Sequence, residues 1–121
     1  MRRALILFAA WALASPVYAQ GVSIRVLGAG TQSCGDWTST QGSSEFVNQM
    51  THLAMIQWMN GYLTAMQQAM PHIVAQIRST DMSGMTGWID QWCAAHPLDN
   101  VAGATQALVG ELSARAVGSR P

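Results

Sequence analysis

The chain has 121 residues, half of them hydrophobic, with six arginines and no lysine set against six carboxylates for a formal net charge of zero. Four of the arginines, Arg25, Arg78, Arg115 and Arg120, are scattered singly along the sequence. No clustered basic face is available to neutralise phosphates, which excludes a nucleic-acid binder and, on the same ground, a protein held to an anionic membrane surface.

Residues 1–19 read as a secretory signal peptide. Arg2 and Arg3 give a positive start, an apolar stretch follows, and Val17, Tyr18 and Ala19 form the cleavage region ahead of Gln20. The apolar stretch falls short of the roughly 20 residues a bilayer span needs. The expectation is therefore a periplasmic protein with no membrane attachment after cleavage. Its mature part, residues 20–121, has the length of one domain.

Residues 20–33 alternate loosely, with Val22, Ile24 and Val26 on one side, and are expected to form an extended N-terminal arm. Gly28 and Gly30 do not make a nucleotide-binding turn, because residue 33 is Ser and no strand-helix-strand unit follows. Residues 35–44, rich in Ser, Thr and Gly, suit a surface loop. From residue 46 to 77 there is no Asp, Glu, Arg or Lys. Asn48, Gln49, His52, Gln57, Asn60, Thr64, Gln67 and Gln68 are read as the polar face of a long helix. Val47, Met50, Ala54, Met55, Trp58, Met59, Tyr62, Ala65 and Met66 are read as its apolar face. Gly61 on that apolar side suggests close approach of another element. Pro71 should stop or kink the helix near Met70. Met70, Ile73, Val74 and Ile77 then restart a helical pattern. Asp81 is placed to cap a further helix carrying Met85, Trp88, Ile89, Trp92 and Cys93, which Pro97 ends. Asp99 is placed to cap a last one carrying Val101, Ala104, Leu108 and Leu112. No strand pair or internal repeat is evident, so the expected class is all-α, three to four helices with the extended arm.

The chain has two cysteines, Cys34 and Cys93. In an exported protein an even count is usually paired, so one disulfide is expected to staple the helices. Trp37, Trp58, Trp88 and Trp92 are expected to build the core around it. Seven methionines follow residue 19. Flexible thioethers fill irregular cores and also make adaptable binding surfaces. Met55, Met59 and Met66 are the candidate partner surface, where the apolar stripe extends past the core toward a homodimer or partner interface.

Little in the sequence points to catalysis. Asp90, Cys93 and His96 have ligand chemistry that suits zinc, but the cysteine is expected to be oxidised and no fourth ligand is evident. A disulfide-bonded cysteine cannot attack a substrate, and no Gly-x-Ser-x-Gly elbow exists. His52 and His72 read as a polar-face and a helix-start residue. No catalytic residue, cofactor or metal is assigned.

Several fragments taken together carry a resemblance: Cys34-Gly35-Asp36-Trp37, Gly61-Tyr62-Leu63, Trp88-Ile89-Asp90-Gln91-Trp92-Cys93 with His96-Pro97-Leu98, and Ala107-Leu108-Val109 before Glu111-Leu112. The arrangement, over residues 27–115, resembles the small periplasmic Tai-type and Rap-type immunity proteins and, more distantly, the HdeA acid-stress chaperones. The immunity resemblance implies a non-catalytic inhibitor that binds a secreted cell-wall hydrolase. The HdeA resemblance implies instead a chaperone that opens at low pH. Sparse charge weighs against the chaperone, because acid switching draws on carboxylates whose protonation destabilises the folded state, and only six are present. The expected function is an exported protein-binding module, with a chaperone, an enzyme or a metal protein as alternatives.

Overall fold

The computed structural model describes residues 23–119; residues 1–22, among them the expected signal peptide over 1–19, and residues 120 and 121 lie outside the described residues. Among those described there are five α-helices and no strand. They are α1 (Cys34–Thr40), α2 (Phe46–Ala69), α3 (Val74–Ser79), α4 (Met82–Ala95) and α5 (Val101–Gly118). Two 3-10 turns, Gly28–Thr31 and Pro71–Ile73, precede α1 and α3. No helix of the described residues is long and apolar enough to cross a membrane. The class is all-α, with an arm that is irregular over residues 23–27 and then closes into the first 3-10 turn.

The helix boundaries follow from local chemistry. Pro71 cannot donate to the preceding turn, so α2 stops at Ala69 with Met70 off helical geometry, and the proline opens the next turn, where its missing N–H costs nothing. Asp81 caps α4 by accepting from the Gly84 N–H at 2.7 Å. The last helix begins one residue later than expected. Asn100, not Asp99, is its cap, accepting from the Gly103 N–H at 2.9 Å, while Asp99 accepts from the Asn100 N–H at 2.8 Å.

Residues 35–40, expected within a surface loop, form α1 together with Cys34 instead. Ser33 and Asp36 make a reciprocal capping box, with the Ser33 hydroxyl accepting from the Asp36 N–H and the Asp36 carboxylate accepting from the Ser33 N–H. Seven residues are too few for an isolated helix to persist, so tertiary anchors must hold this one. Cys34 is disulfide-bonded to Cys93 of α4, and Trp37 is fully buried. The Trp37 indole N–H donates to Asp90 Oδ1 at 2.6 Å.

One core cluster runs through the molecule, and α5 is its axis. Small buried residues, Ala102, Ala104 and Ala116, lie along α5, and this helix packs against every other helix and both 3-10 turns. Its inward face, Val101, Ala104, Thr105, Leu108 and Leu112, meets Met55, Met59 and Leu63 of α2, Met85 and Ile89 of α4, and Ile73 in the same cluster. Among the described residues Trp37 is the one fully buried tryptophan; Trp58, Trp88 and Trp92 pack on the cluster from its margin.

Gly61, expected to admit a neighbour, faces open space. The close approach occurs at Gly30, where an added Cβ would fall inside the indole of Trp58. Trp58 is fixed there by donating its N–H to the Leu27 carbonyl at 2.8 Å and by stacking on Tyr62. Gly30→Ala is therefore expected to lift the arm from α2 and to destabilise the protein by about 1–3 kcal/mol. Urea unfolding together with the Trp58 emission of the folded state checks this. An unchanged midpoint would mean that the indole yields without cost.

Candidate protein-binding surfaces

The α4–α5 turn is the most exposed apolar feature. Pro97 restricts His96 to a non-helical conformation and ends α4, and Asn100 starts α5 three residues on. Leu98 lies between them with no helical face to join and is fully solvent-exposed, at 102% of its reference area. The backbone beneath it is pinned. The His96 N–H donates to the Trp92 and Cys93 carbonyls, and the Asp99 N–H donates to the His96 carbonyl at 3.1 Å. On the other side, the Cys34 N–H donates to the Asp99 carbonyl at 2.8 Å and the Val101 N–H to the Gln32 carbonyl at 2.9 Å, an isolated antiparallel bridge. The His96 ring stacks on Trp92 with centroids 4.2 Å apart. A concavity of about 420 Å³ lies against the turn, lined by Ala95, His96, Pro97, Leu98 and Asp99. A large apolar side chain presented on a fixed turn gains about 1.5–3 kcal/mol when a partner covers it and loses little entropy in doing so.

A second surface lies on α2, and it corrects the sequence reading. Of the three residues expected to meet a partner, Met55 and Met59 are fully buried inside the fold and Met66 packs half-buried on the core. Asn48, His52, Met55 and Met59 lie along one stripe at helical spacing. In the first turns of α2 the inward positions of that stripe are polar. His52 contacts the Thr40 hydroxyl at 3.2 Å and packs on the Trp37 ring, and Asn48 donates to Ser43 and Glu45. The apolar residues of those turns consequently face water. Phe46 is 72% exposed, Val47 71%, Met50 43% and Leu53 44%. Ala54 and Ala65, also assigned to the apolar face, are exposed. Beside Leu53 is a concavity of about 400 Å³ lined also by Thr40, Gly42, Ser43, His52 and Ile56.

The residues considered for catalysis or metal binding do not converge. Cys93 is in the disulfide, Asp90 holds Trp37 and Gln41, and His96 lies on Trp92. Among the described residues no three His, Cys, Asp or Glu side chains come together as a metal site. All six carboxylates have structural partners. Asp36 and Asp81 cap helices, Asp90 takes the indole, and Asp99 takes the Asn100 N–H; Glu45 accepts from Asn48 and Glu111 pairs with Arg115 at 2.7 Å. His72 Nε2 meets the Ser113 hydroxyl at 2.8 Å. No carboxylate bonds the other nitrogen of His72 among the described residues, and the pair joins the second 3-10 turn to α5.

The sequence reading passed over Leu98, Phe46, Val47 and Leu53 as surface residues. Its available signal was positional: Leu98 lies between a helix-stopping proline and a capping asparagine, and Asn48 and His52 fall in register with Met55 and Met59. Compared with known proteins, the chain matches no family model, no curated protein and no solved structure.

Proposed function

We propose that this chain is an exported, non-catalytic protein-binding module of the immunity type, which blocks a secreted cell-wall hydrolase in the periplasm through the α4–α5 turn. The observation that carries the reading is Leu98, fully exposed on a turn whose backbone is bonded on both sides. Interface energy concentrates in a few large side chains that enter a partner's pocket from a preorganised frame. Export is supported by the leader-like residues 1–19 and by the disulfide, which suits an oxidising compartment. The class of partner is supported by the fragments that resemble immunity proteins.

The test is capture from the native periplasm by the tagged protein, with the eluate identified by mass spectrometry. A single stoichiometric hydrolase is expected. Leu98→Asp is expected to weaken that complex by at least about 30-fold, the loss of a central anchor. Unfolding should be unaffected to within about 0.5 kcal/mol, as for an exposed site. Many sub-stoichiometric clients would favour the chaperone instead, and full affinity in Leu98→Asp would remove the turn from the contact.

A further inference from the structure

We propose that the recess between the start of α4 and the second half of α5 is a small-molecule site that takes a simple phenol, a single uncharged aromatic ring carrying a hydroxyl. The site lies at the far end of both helices from the Leu98 turn, and the proposal is independent of the hydrolase reading.

Size and lining set the body of the ligand. The recess has a volume of about 150 Å³ and is more enclosed than the concavities beside Leu98 and Leu53. Met85 and Trp88 of α4 line it on one side and Leu108 and Leu112 of α5 on the other, while Gly84 contributes no side chain to fill the space. Met85, Leu108 and Leu112 belong to the buried core, so the fold itself holds the apolar floor in place, as in a preformed ligand pocket. An apolar cavity of about this volume accepts benzene. One six-membered ring therefore fits, with the Trp88 indole as an aromatic surface to pack against.

The polar groups at the rim set the rest of the ligand. Arg115 Nε donates to Glu111 Oε1 at 2.7 Å, a pair one turn apart on α5 whose side chains are both in reach of solvent. That bond engages one guanidinium N–H and one carboxylate oxygen. The terminal guanidinium N–H groups and Glu111 Oε2 have no protein partner among the described residues. The Thr80 hydroxyl, also at the recess, already donates to the Gln76 carbonyl. The indole N–H groups of Trp37 and Trp58 are engaged by protein acceptors, whereas that of Trp88 has none among the described residues and is not sealed from solvent.

The rim thus combines unengaged donors with an unengaged acceptor and carries no net charge. A ligand carboxylate would gain the guanidinium and stand against Glu111; an ammonium would gain Glu111 and stand against Arg115. A hydroxyl is donor and acceptor at once. It can give its proton to Glu111 Oε2 and accept from the guanidinium or the indole N–H. One ring and one hydroxyl together make a phenol.

The test is a titration of the purified, isotope-labelled protein with phenol, followed by nuclear magnetic resonance at the Trp88 indole N–H, a signal identified by its loss in Trp88→Phe. Saturable binding with a Kd of about 0.1–1 mM is expected. p-Cresol, the tyrosine side chain as a free molecule, should bind like phenol. Benzene, benzoate and benzylamine should each bind at least about tenfold more weakly. Glu111→Gln is expected to strengthen benzoate binding about threefold, and Arg115→Gln that of benzylamine, with the helical circular dichroism unchanged. A salt bridge that only braces α5 would shift neither preference. No saturable change up to about 10 mM phenol would leave a wet groove and overturn the proposal. So would equal affinity for all the probes, or binding of N-acetyltyrosinamide without p-cresol, which would make the recess a peptide contact.

Discussion

Replacing Cys34 and Cys93 together by alanine is expected to lower the free energy of unfolding by about 3–4 kcal/mol. The bridge closes a loop with a sequence separation of 59 residues. Chain-entropy arguments assign such a closure about 4 kcal/mol, with real bridges often giving less. Here a second loss adds to the first, because the bridge is one of the few anchors of a seven-residue helix that has no stability of its own. The double variant should therefore lose part of its α1 signal and expose Trp37, besides unfolding earlier. For a domain of about 100 residues the loss corresponds to a fall in melting temperature of about 12–30 °C. Urea unfolding of the oxidised protein and of the double variant decides the matter. A difference under about 1 kcal/mol would mean that burial of Trp37 alone holds α1 against α4.

The second large effect is expected at the Trp37–Asp90 pair. Trp37→Ala removes a fully buried indole and should cost about 3–5 kcal/mol through lost burial and the cavity left behind. Asp90→Ala removes no core volume but strands the indole N–H, which donates to Asp90 Oδ1 at 2.6 Å. An unsatisfied buried donor costs about 1–3 kcal/mol. Trp37→Phe tests the bond from the other side, keeping an aromatic ring while deleting the donor together with part of the indole's volume, a loss that cancels in the cycle because it occurs with and without Asp90. A double-mutant cycle between Asp90→Ala and Trp37→Phe is expected to give a coupling of about 1.5–3 kcal/mol, the range for a hydrogen bond to a charged group. Coupling below about 0.5 kcal/mol would make Asp90 an ordinary surface carboxylate. Asp90 also accepts from the Gln41 side chain at 2.7 Å, so the same variant should loosen the end of α1.

Where backbone chemistry is local, the sequence was legible. Pro71, Asp81 and Pro97 act on their own neighbours, and the breaks they predict are where α2 ends, α4 begins and α4 stops. Helix α1 was missed because its Ser, Thr and Gly content looks like a loop and its stability comes from contacts 53 and 59 residues away. The Ser33-x-x-Asp36 spacing was the one local sign of it. Which face of α2 turns inward was not readable for a different reason. The helix carries no Asp, Glu, Arg or Lys to hold one side in water, so the choice of inward face falls to what α1 presents: Trp37 and Thr40, which suit His52. The candidate surfaces shared that fate. A residue is recognised as exposed only once its neighbours are placed, and nothing in the spacing of Leu98 or Phe46 fixes those neighbours.

The position of α5 in the chain bears on the order in which the molecule is made. A ribosome releases residues in sequence, and the helix that touches all the others is the last of those described. Until residues 101–118 are synthesised, α2, α3 and α4 lack the surface they share, although α1 can already meet α2 and α4. The Cys34–Cys93 bond joins two segments that are complete before that point, yet the Val101 and Asp99 backbone groups that steady Gln32 and Cys34 arrive only with the start of α5. A nascent chain of this design can pair α1 with α2 and with α4 early, and completes its core only when α5 is available.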